Sequence, residues 1–206
     1  MRKLSLAAAV AAFALAAPLL AQTPAAPAPG PNTWAIDTAH SAAGFSVKHM
    51  MVSTVRGTLG PVKGTIEYDG KSVENIKVDV TIDVSGINTG NQNRDNDLKG
   101  GDGLFEVAKY PTATFKSKRA TASGAGAFKL VGDLTLHGVT KEVTLDVEGP
   151  SAPVKQGPAT RTGASATTTI NRKDFGLSYN RAIEAGPVVG DEVKITIDIE
   201  ATRRSS

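Results

Sequence analysis

Residues 128–147 read FKLVGDLTLHGVTKEVTLDV, and this segment decides the fold class. Apolar side chains occupy every second position on both sides of the dipeptide at 137–138, as expected for β-strands with one buried face. A two-residue turn at this dipeptide fixes the register, because loop length determines which residues face one another. The segment therefore predicts an antiparallel hairpin. The predicted cross-strand pairs are Gly132 with Val143 and Leu134 with Lys141.

The same alternation continues along most of the chain and is clearest at residues 76–84 and 193–199, where Val and Ile alternate with charged residues or Thr. We predict eight extended segments, at residues 40–50, 54–68, 74–87, 112–122, 126–137, 139–150, 161–173 and 191–202. Helix signals are poor, with one helical turn expected around residues 94–99, so the sequence predicts an all-β fold. Eight antiparallel strands with one apolar face form either a closed barrel or a two-sheet sandwich.

Five short motifs follow one another along the chain. They are W-x-I-D-x-x-H-S-x-x-x-F-x-V-x-H from Trp34 to His49, R-D-x-x-L from Arg94, Y-P-x-x-x-F-x-S from Tyr110, GDLTLHGVTKEV from Gly132 and N-R-x-D-F-G from Asn171. Together they resemble the YceI-like family of bacterial lipid-binding proteins over residues 34–201. The chain departs from the family pattern in one loop, at Asp97 and Gly103. The resemblance implies an eight-stranded antiparallel, extended, lipocalin-like β-barrel that binds a polyisoprenoid or a similar lipid.

The N-terminal region is predicted to lie outside this fold. A basic start precedes an apolar run over residues 4–20 and a small residue, Ala21, so residues 1–21 are expected to be a secretory signal peptide that is cleaved near Ala21. Residues 22–32 are expected to form a Pro/Ala-rich linker, and residues 33–203 the barrel domain. We therefore expect a periplasmic protein without a stable membrane anchor.

Charge and cysteine content exclude several classes of function. Without Arg2 and Lys3, 21 of the 23 basic residues remain against 20 acidic residues, so the mature chain is close to neutral. No basic stripe for nucleic acid is visible in the sequence. The chain contains no Cys, which excludes disulfides and thiolate chemistry. The expected partner is a long-chain isoprenoid or fatty lipid, and a homodimer is compatible with the sequence.

The residues that resemble catalytic or metal-binding sites are poorly arranged for chemistry. Asp37, His40 and Ser41 are the residue types of a hydrolase triad, but they are nearly adjacent and lack a nucleophile elbow. Residues 95–106 imitate a calcium loop, but Lys99 stands where an oxygen ligand is required. The three histidines are dispersed along the chain. We predict no catalysis, no cofactor and no metal.

The predicted binding site is the inward face of the barrel. The apolar side chains expected to line it are Phe45, Val47, Val80, Ile82, Phe115, Leu134, Leu145 and Ile197. His49 and Arg172 also fall on inward positions, where a few polar groups near the mouth would hold the head group of an amphiphile. Arg172 has the alternative of pairing with Asp174 or a loop carboxylate. Two long irregular segments, residues 88–110 and 175–190, are candidates to cap the barrel mouth.

These observations favour a periplasmic binding protein that encloses a long-chain amphiphilic lipid for transport, storage or sequestration. Two alternatives stay open. One is an enzyme acting on such a lipid, for which His49 is the one inward-facing candidate base. The other is a stress-related extracytoplasmic module with a packed interior and no ligand.

Overall fold

The computed structural model describes residues 30–180, 182–183 and 186–204, so the predicted signal peptide and most of the predicted linker lie outside the described residues. The elements are β1 (Thr33–Ile36), β2 (Ala42–His49), β3 (Ser53–Thr58), β4 (Val62–Glu67), β5 (Lys77–Asp83), α1 (Gln92–Gly100), β6 (Thr112–Gly124), β7 (Ala127–Leu136), β8 (Val139–Glu148), β9 (Val154–Gln156), β10 (Ala159–Asn171), β11 (Ala182–Ile183), β12 (Gly186–Pro187) and β13 (Val189–Arg204).

Eight strands close a barrel in the order β13-β1-β4-β5-β6-β7-β8-β10, and β10 pairs back with β13. All of these pairings are antiparallel. The β2–β3 hairpin extends one wall, because β2 pairs with the first part of β13 and β1 with its last part. The predicted all-β, eight-stranded antiparallel barrel with one short helix is confirmed, and the sandwich alternative is excluded.

The β7–β8 hairpin has the predicted register. Gly132 faces Val143 and Leu134 faces Lys141 across the two strands. His137 and Gly138 adopt φ values of 51° and 74°, the left-handed conformation that a type I′ turn requires at both central positions. Gly132 is buried, and a Cβ at this position would lie only 2.6 Å from the Phe115 ring. The ring of Phe115 thus occupies the space that a larger residue would need.

Two strand predictions need correction, and the short strands β9, β11 and β12 lie outside the predicted segments. The predicted segment 54–68 is two strands, β3 and β4, because Gly60 has a φ of 131° and Pro61 lacks a backbone N–H. The four-residue strand β1 was not predicted as a strand, since it is too short to display a period. It nevertheless buries Trp34 and Ile36.

Buried side chains fill most of the barrel interior in three clusters. Their central members are Phe115, Phe128 and Leu145; Leu136, Phe175 and Ile195; and Val62, Val80 and Ile87. Ile197 packs against all three, so the clusters form one continuous core. The closed end of the barrel is the end at which β1 begins, where the Arg203 guanidinium lies 4.3 Å from the centroid of the buried Trp34 ring. The open end is the opposite end, where β2, β7 and β10 terminate.

Candidate ligand-binding site

A cavity of about 840 Å³ lies at the open end of the barrel. Its walls come from the β2–β3 hairpin, α1, residues 100–105, residues 177–179, Val188 and the start of β13. The lining is mainly apolar and includes Phe45, Val55, Leu98, Phe105, Leu177 and Ile195. Leu136 and Ile170 form the floor, where the packed core begins. The volume lies within the range of roughly 300–1,000 Å³ that is usual for small-molecule pockets.

Helix α1 is held against the cavity by polar contacts with the chain that leaves β5. The buried carboxylate of Asp95 accepts hydrogen bonds from the backbone N–H of Thr89 at 2.8 Å and from its hydroxyl at 2.5 Å. The Arg94 Nε donates to the same hydroxyl oxygen at 2.7 Å, and the Asn91 side chain caps the helix N-terminus. The bond from the Thr89 hydroxyl holds the pKa of Asp95 below its usual value. Asp95 is therefore a tether for the helix.

Of the ten residues predicted to contact a ligand, four lie on the cavity: Phe45, Val47, His49 and Arg172. The other six, Val80, Ile82, Phe115, Leu134, Leu145 and Ile197, lie in or against the packed clusters below it. Strand parity places all six toward the barrel interior, as the alternation indicated. The alternation of side chains along a strand does not show which part of a barrel interior is filled by side chains. Contact of these six residues with a ligand therefore stays a prediction.

Arg172 is buried and bound to the start of the neighbouring strand β13 and to the segment that follows β10. Its Nε donates to the carbonyl of Gly190 at 2.9 Å, and its Nη2 to the carbonyl of Val189 at 3.3 Å and to Asp191 Oδ1 at 3.2 Å. Its Nη1 donates to the carbonyl of Leu177. Burial lowers the pKa of Arg172, and the carboxylate of Asp191 opposes that shift. The carboxylate that pairs with Arg172 is Asp191 of β13, and not Asp174 or a loop carboxylate as expected.

His49 is half-buried on the cavity wall at the end of β2, opposite Val189 of β13. Its imidazole makes no hydrogen bond or ion pair with any other residue that the structure describes. A half-buried polar group next to an apolar cavity is a suitable partner for a polar ligand group. Lys48, Arg94 and Asp97 supply further polar groups around the cavity.

Sequence reasoning missed the contributions of α1 and of residues 100–105. Leu98 is the only apolar residue of α1 on the cavity, so the helix lacks the apolar stripe from which its packing against the barrel could be predicted. The one sequence feature that indicated these contributions was the length of the two irregular segments, 88–110 and 175–190. Both segments that were candidates to cap the mouth contribute to the cavity wall.

A second polar cluster lies on the outer wall, away from the cavity. Nδ1 of His40 is 3.1 Å from Asp37 Oδ2 and 3.9 Å from Glu200 Oε1, and the ligand atoms of these three residues lie within 4.8 Å of one another. Arg161 Nη1 contacts both carboxylates and supplies their counter-charge. The His40 bond is the main cause of the lowered pKa of Asp37. This arrangement is a surface ion-pair network.

Ser41 would be the nucleophile of a hydrolase triad with Asp37 and His40, but its hydroxyl contacts the backbone and not His40. Its hydroxyl donates to the Glu200 carbonyl at 3.2 Å and accepts from the Glu200 N–H at 3.0 Å. A nucleophilic serine needs a base within hydrogen-bond reach. The three residues therefore do not form a hydrolase triad.

The barrel, with its apolar cavity beneath a short helix at one end, has the architecture of a lipocalin-like barrel. The YceI-like domain matches residues 34–201. The UPF0312 protein SA2479 of Staphylococcus aureus (strain N315) is 39% identical over 172 residues, which cover 82% of this chain and 96% of that protein. The chain therefore belongs to the YceI-like family. No helix in the described parts of the chain is both long and apolar enough to cross a membrane.

Solved structures show the same fold. The YCEI protein of Campylobacter jejuni is 33% identical, with a TM-score of 0.64 over 77% of this chain and 90% of that one. BcnA of Burkholderia cenocepacia superimposes with a TM-score of 0.68 at 23% identity, over 80% of this chain and 98% of its own. A polyisoprenoid-binding domain from Saccharophagus degradans has a TM-score of 0.57 at 21% identity, over 82% and 97%.

Proposed function

We propose that this protein binds a long-chain amphiphilic lipid, polyisoprenoid or fatty, with the apolar chain in the cavity at the open end. The observation that carries the proposal is the cavity itself, about 840 Å³ with a mainly apolar lining. Membership of the YceI-like family supports it, as does the fold shared with a polyisoprenoid-binding domain. Because the core is packed from Leu136 downward, only a chain segment of limited length is enclosed.

Burial of the apolar chain supplies most of the affinity in this proposal. Apolar surface contributes ~25 cal/mol per Å² removed from water, before the costs of association. A few hundred Å² of enclosed chain then corresponds to roughly micromolar affinity or better without a charged contact. His49 faces the same cavity and is the residue we assign to the polar head group. Arg172 acts indirectly, because its donors are already engaged by backbone carbonyls and Asp191.

The cellular role that fits this binding is transport, storage or sequestration of the lipid outside the cytoplasm. The basic, apolar and small-residue pattern of residues 1–21 supports secretion into the periplasm. No catalytic step is part of the proposal. His49 lines the cavity without a second side chain positioned to orient it as a base, among the residues that the structure describes.

A cavity-filling variant tests the proposal. Val193 lies on the cavity wall and pairs with Val47, so Val193→Trp should fill the cavity and reduce the lipid that co-purifies with the protein. The neighbouring Lys194 is exposed on the outer face, which makes Lys194→Trp the matched control. The measurement is mass spectrometry of solvent-extracted lipid, normalised to folded protein.

We expect lipid in the wild type and in Lys194→Trp, and little lipid in Val193→Trp. Equal lipid in both variants would exclude this cavity as the binding site. The absence of any lipid from the wild type, together with no uptake of added polyisoprenoid, would instead favour the ligand-free module. Conversion of the added lipid would favour the enzyme.

A further inference from the structure

Three consecutive apolar side chains project from the tip of the β2–β3 hairpin. Met50, Met51 and Val52 are 40%, 62% and 85% exposed. The tip adjoins the cavity, because Val47 and His49 on one strand and Val55 on the other belong to the cavity wall. Contiguous exposed apolar residues on a soluble domain mark an interaction site more often than isolated ones do.

The hairpin does not need methionines at this turn. Met50 and Met51 have φ values of 49° and 58°, and the N–H of Val52 donates to the carbonyl of His49 at 3.1 Å. This is the geometry of a type I′ turn, for which Asn-Gly is the favoured sequence. Left-handed backbone is unfavourable for residues with a Cβ such as Met. The apolar tip is therefore unfavourable both for solvation and for backbone conformation.

The hairpin is also basic. Residues 42–58 contain Lys48 and Arg56 and no Asp or Glu. Lys48 and Arg56 are exposed, two and four residues from the ends of the tip. At ~3.3 Å per residue they lie roughly 7–13 Å behind it, which is comparable to the Debye length at physiological salt. On the adjoining strand β13, Asp191 is already paired with Arg172 and Lys173, and the exposed Glu192 is the other acidic residue at the start of the strand.

We propose that the tip formed by residues 50–52 inserts into the surface of a lipid bilayer that carries anionic head groups. The apolar side chains enter the boundary between head groups and acyl chains, while Lys48 and Arg56 stay at the level of the anionic head groups. A protein partner fits less well, since three side chains of this size present well under the ~800 Å² that a standard interface buries on each partner.

Bilayer docking brings the cavity mouth to the source of its ligand. This consequence rests on the proposed lipid-binding function, whereas docking itself does not. An amphiphile could then move between the bilayer and the cavity with little exposure of its chain to water. The tip therefore adds a site for ligand exchange to the site for ligand binding.

The test is flotation with vesicles of phosphatidylcholine alone or with phosphatidylglycerol added. Residues 33–204 close the barrel and contain all three core clusters, so the chain from Gly30 onward is used. The decisive variant is Met50→Asn with Met51→Gly, which should fold at least as stably as the wild type because it suits the turn. The control is Val154→Ser, which removes an apolar side chain that is 64% exposed elsewhere on the barrel.

We expect binding to the anionic vesicles that weakens with salt, is unchanged in the control and falls roughly tenfold in the turn variant. No binding of the wild type to anionic vesicles, or equal binding of the turn variant, would overturn the proposal. Self-association lost in the turn variant, without vesicle binding, would assign the tip to a second copy of the chain and overturn it as well.

Lipid uptake distinguishes this proposal from the proposed function. If both hold, the turn variant should take up polyisoprenoid presented in detergent as the wild type does, but should extract it more slowly from anionic vesicles. A wild type that floats with vesicles yet takes up no lipid from either source would leave docking intact and contradict lipid binding.

Discussion

Arg172 and His49 illustrate how two polar residues at similar places acquire different roles. Both were predicted on inward-facing positions near the barrel mouth, and both line the cavity. The guanidinium of Arg172 is saturated by three carbonyls and by Asp191, whereas the imidazole of His49 has no partner among the described residues. Sequence parity placed both residues correctly. The partners of Arg172 are Leu177 and residues 189–191 at the start of β13, and contacts of its guanidinium with backbone carbonyls are not predicted by any periodic pattern.

This contrast predicts opposite effects of two substitutions. Arg172→Met leaves the carbonyls of Leu177, Val189 and Gly190 without their donor and should lower the free energy of unfolding by about 2–4 kcal/mol. His49→Ala should leave stability nearly unchanged and weaken lipid binding by about 1–3 kcal/mol at most, the range of a lost polar partner. Urea denaturation and lipid titration measure the two quantities. A fully stable Arg172→Met protein would refute its structural role, and complete loss of binding in His49→Ala would refute apolar burial as the main driving force.

The elements that a local sequence pattern determines could be predicted, whereas those that depend on long-range packing could not. The β7–β8 hairpin was predictable in full, because alternation and loop length are local properties. The same alternation continues on both sides of Gly60 and Pro61, so it did not reveal the break between β3 and β4. α1 was expected only as one helical turn, since the sequence QNRDNDLKG contains a single large apolar residue. Its position over the cavity depends on Asp95 and Thr89, which no periodicity reveals.

The tether of α1 should respond to pH. The pKa of Asp95 is lowered in the folded protein, so its bonds to Thr89 contribute stability above the unfolded-state pKa of about 3.9, and this contribution is lost as the pH falls through the lower folded value. Asp95→Asn should therefore be less stable than the wild type at pH 6, and the difference should shrink below pH 4. Thermal unfolding across pH measures it. Asp97→Asn, at an exposed site of the same helix, is the control. A difference that does not depend on pH would contradict the tether.

The whole molecule divides into a filled barrel and a cavity at its open end. Inward-facing parity was correct for Phe115, Leu134 and Leu145, yet they pack against one another and against Ile197. The boundary between filled and empty interior depends on side-chain volumes and on the segments that cross the mouth. Neither can be obtained from strand patterns, so the sequence predicted the barrel and its inward residues but not the depth of the cavity.

That boundary predicts how ligand length can be changed. Leu136 forms the cavity floor, whereas Leu130 on the same strand is buried in the cluster around Phe115 and Phe128. Leu136→Ala and Leu130→Ala should each lower the free energy of unfolding by about 2–5 kcal/mol. Only Leu136→Ala should shift the bound lipids toward longer chains, as measured by mass spectrometry of the extract. An identical lipid profile in both variants would show that the floor does not limit chain length.

The attachment of α1 also has a kinetic consequence. Within the described residues the helix contributes one large apolar side chain, Leu98, to the cavity. It is held by the contacts between Arg94, Asp95 and Thr89 and by backbone hydrogen bonds from Phe105 to Leu98 and from Val107 to Lys99. Lifting it exposes little apolar surface, so a local opening of this kind requires less free energy than unfolding of the barrel. If the cavity holds the proposed lipid, we expect its residence time to depend on how often the helix lifts. Mutations elsewhere in the barrel can change global stability greatly and still leave the rate of ligand escape unaltered.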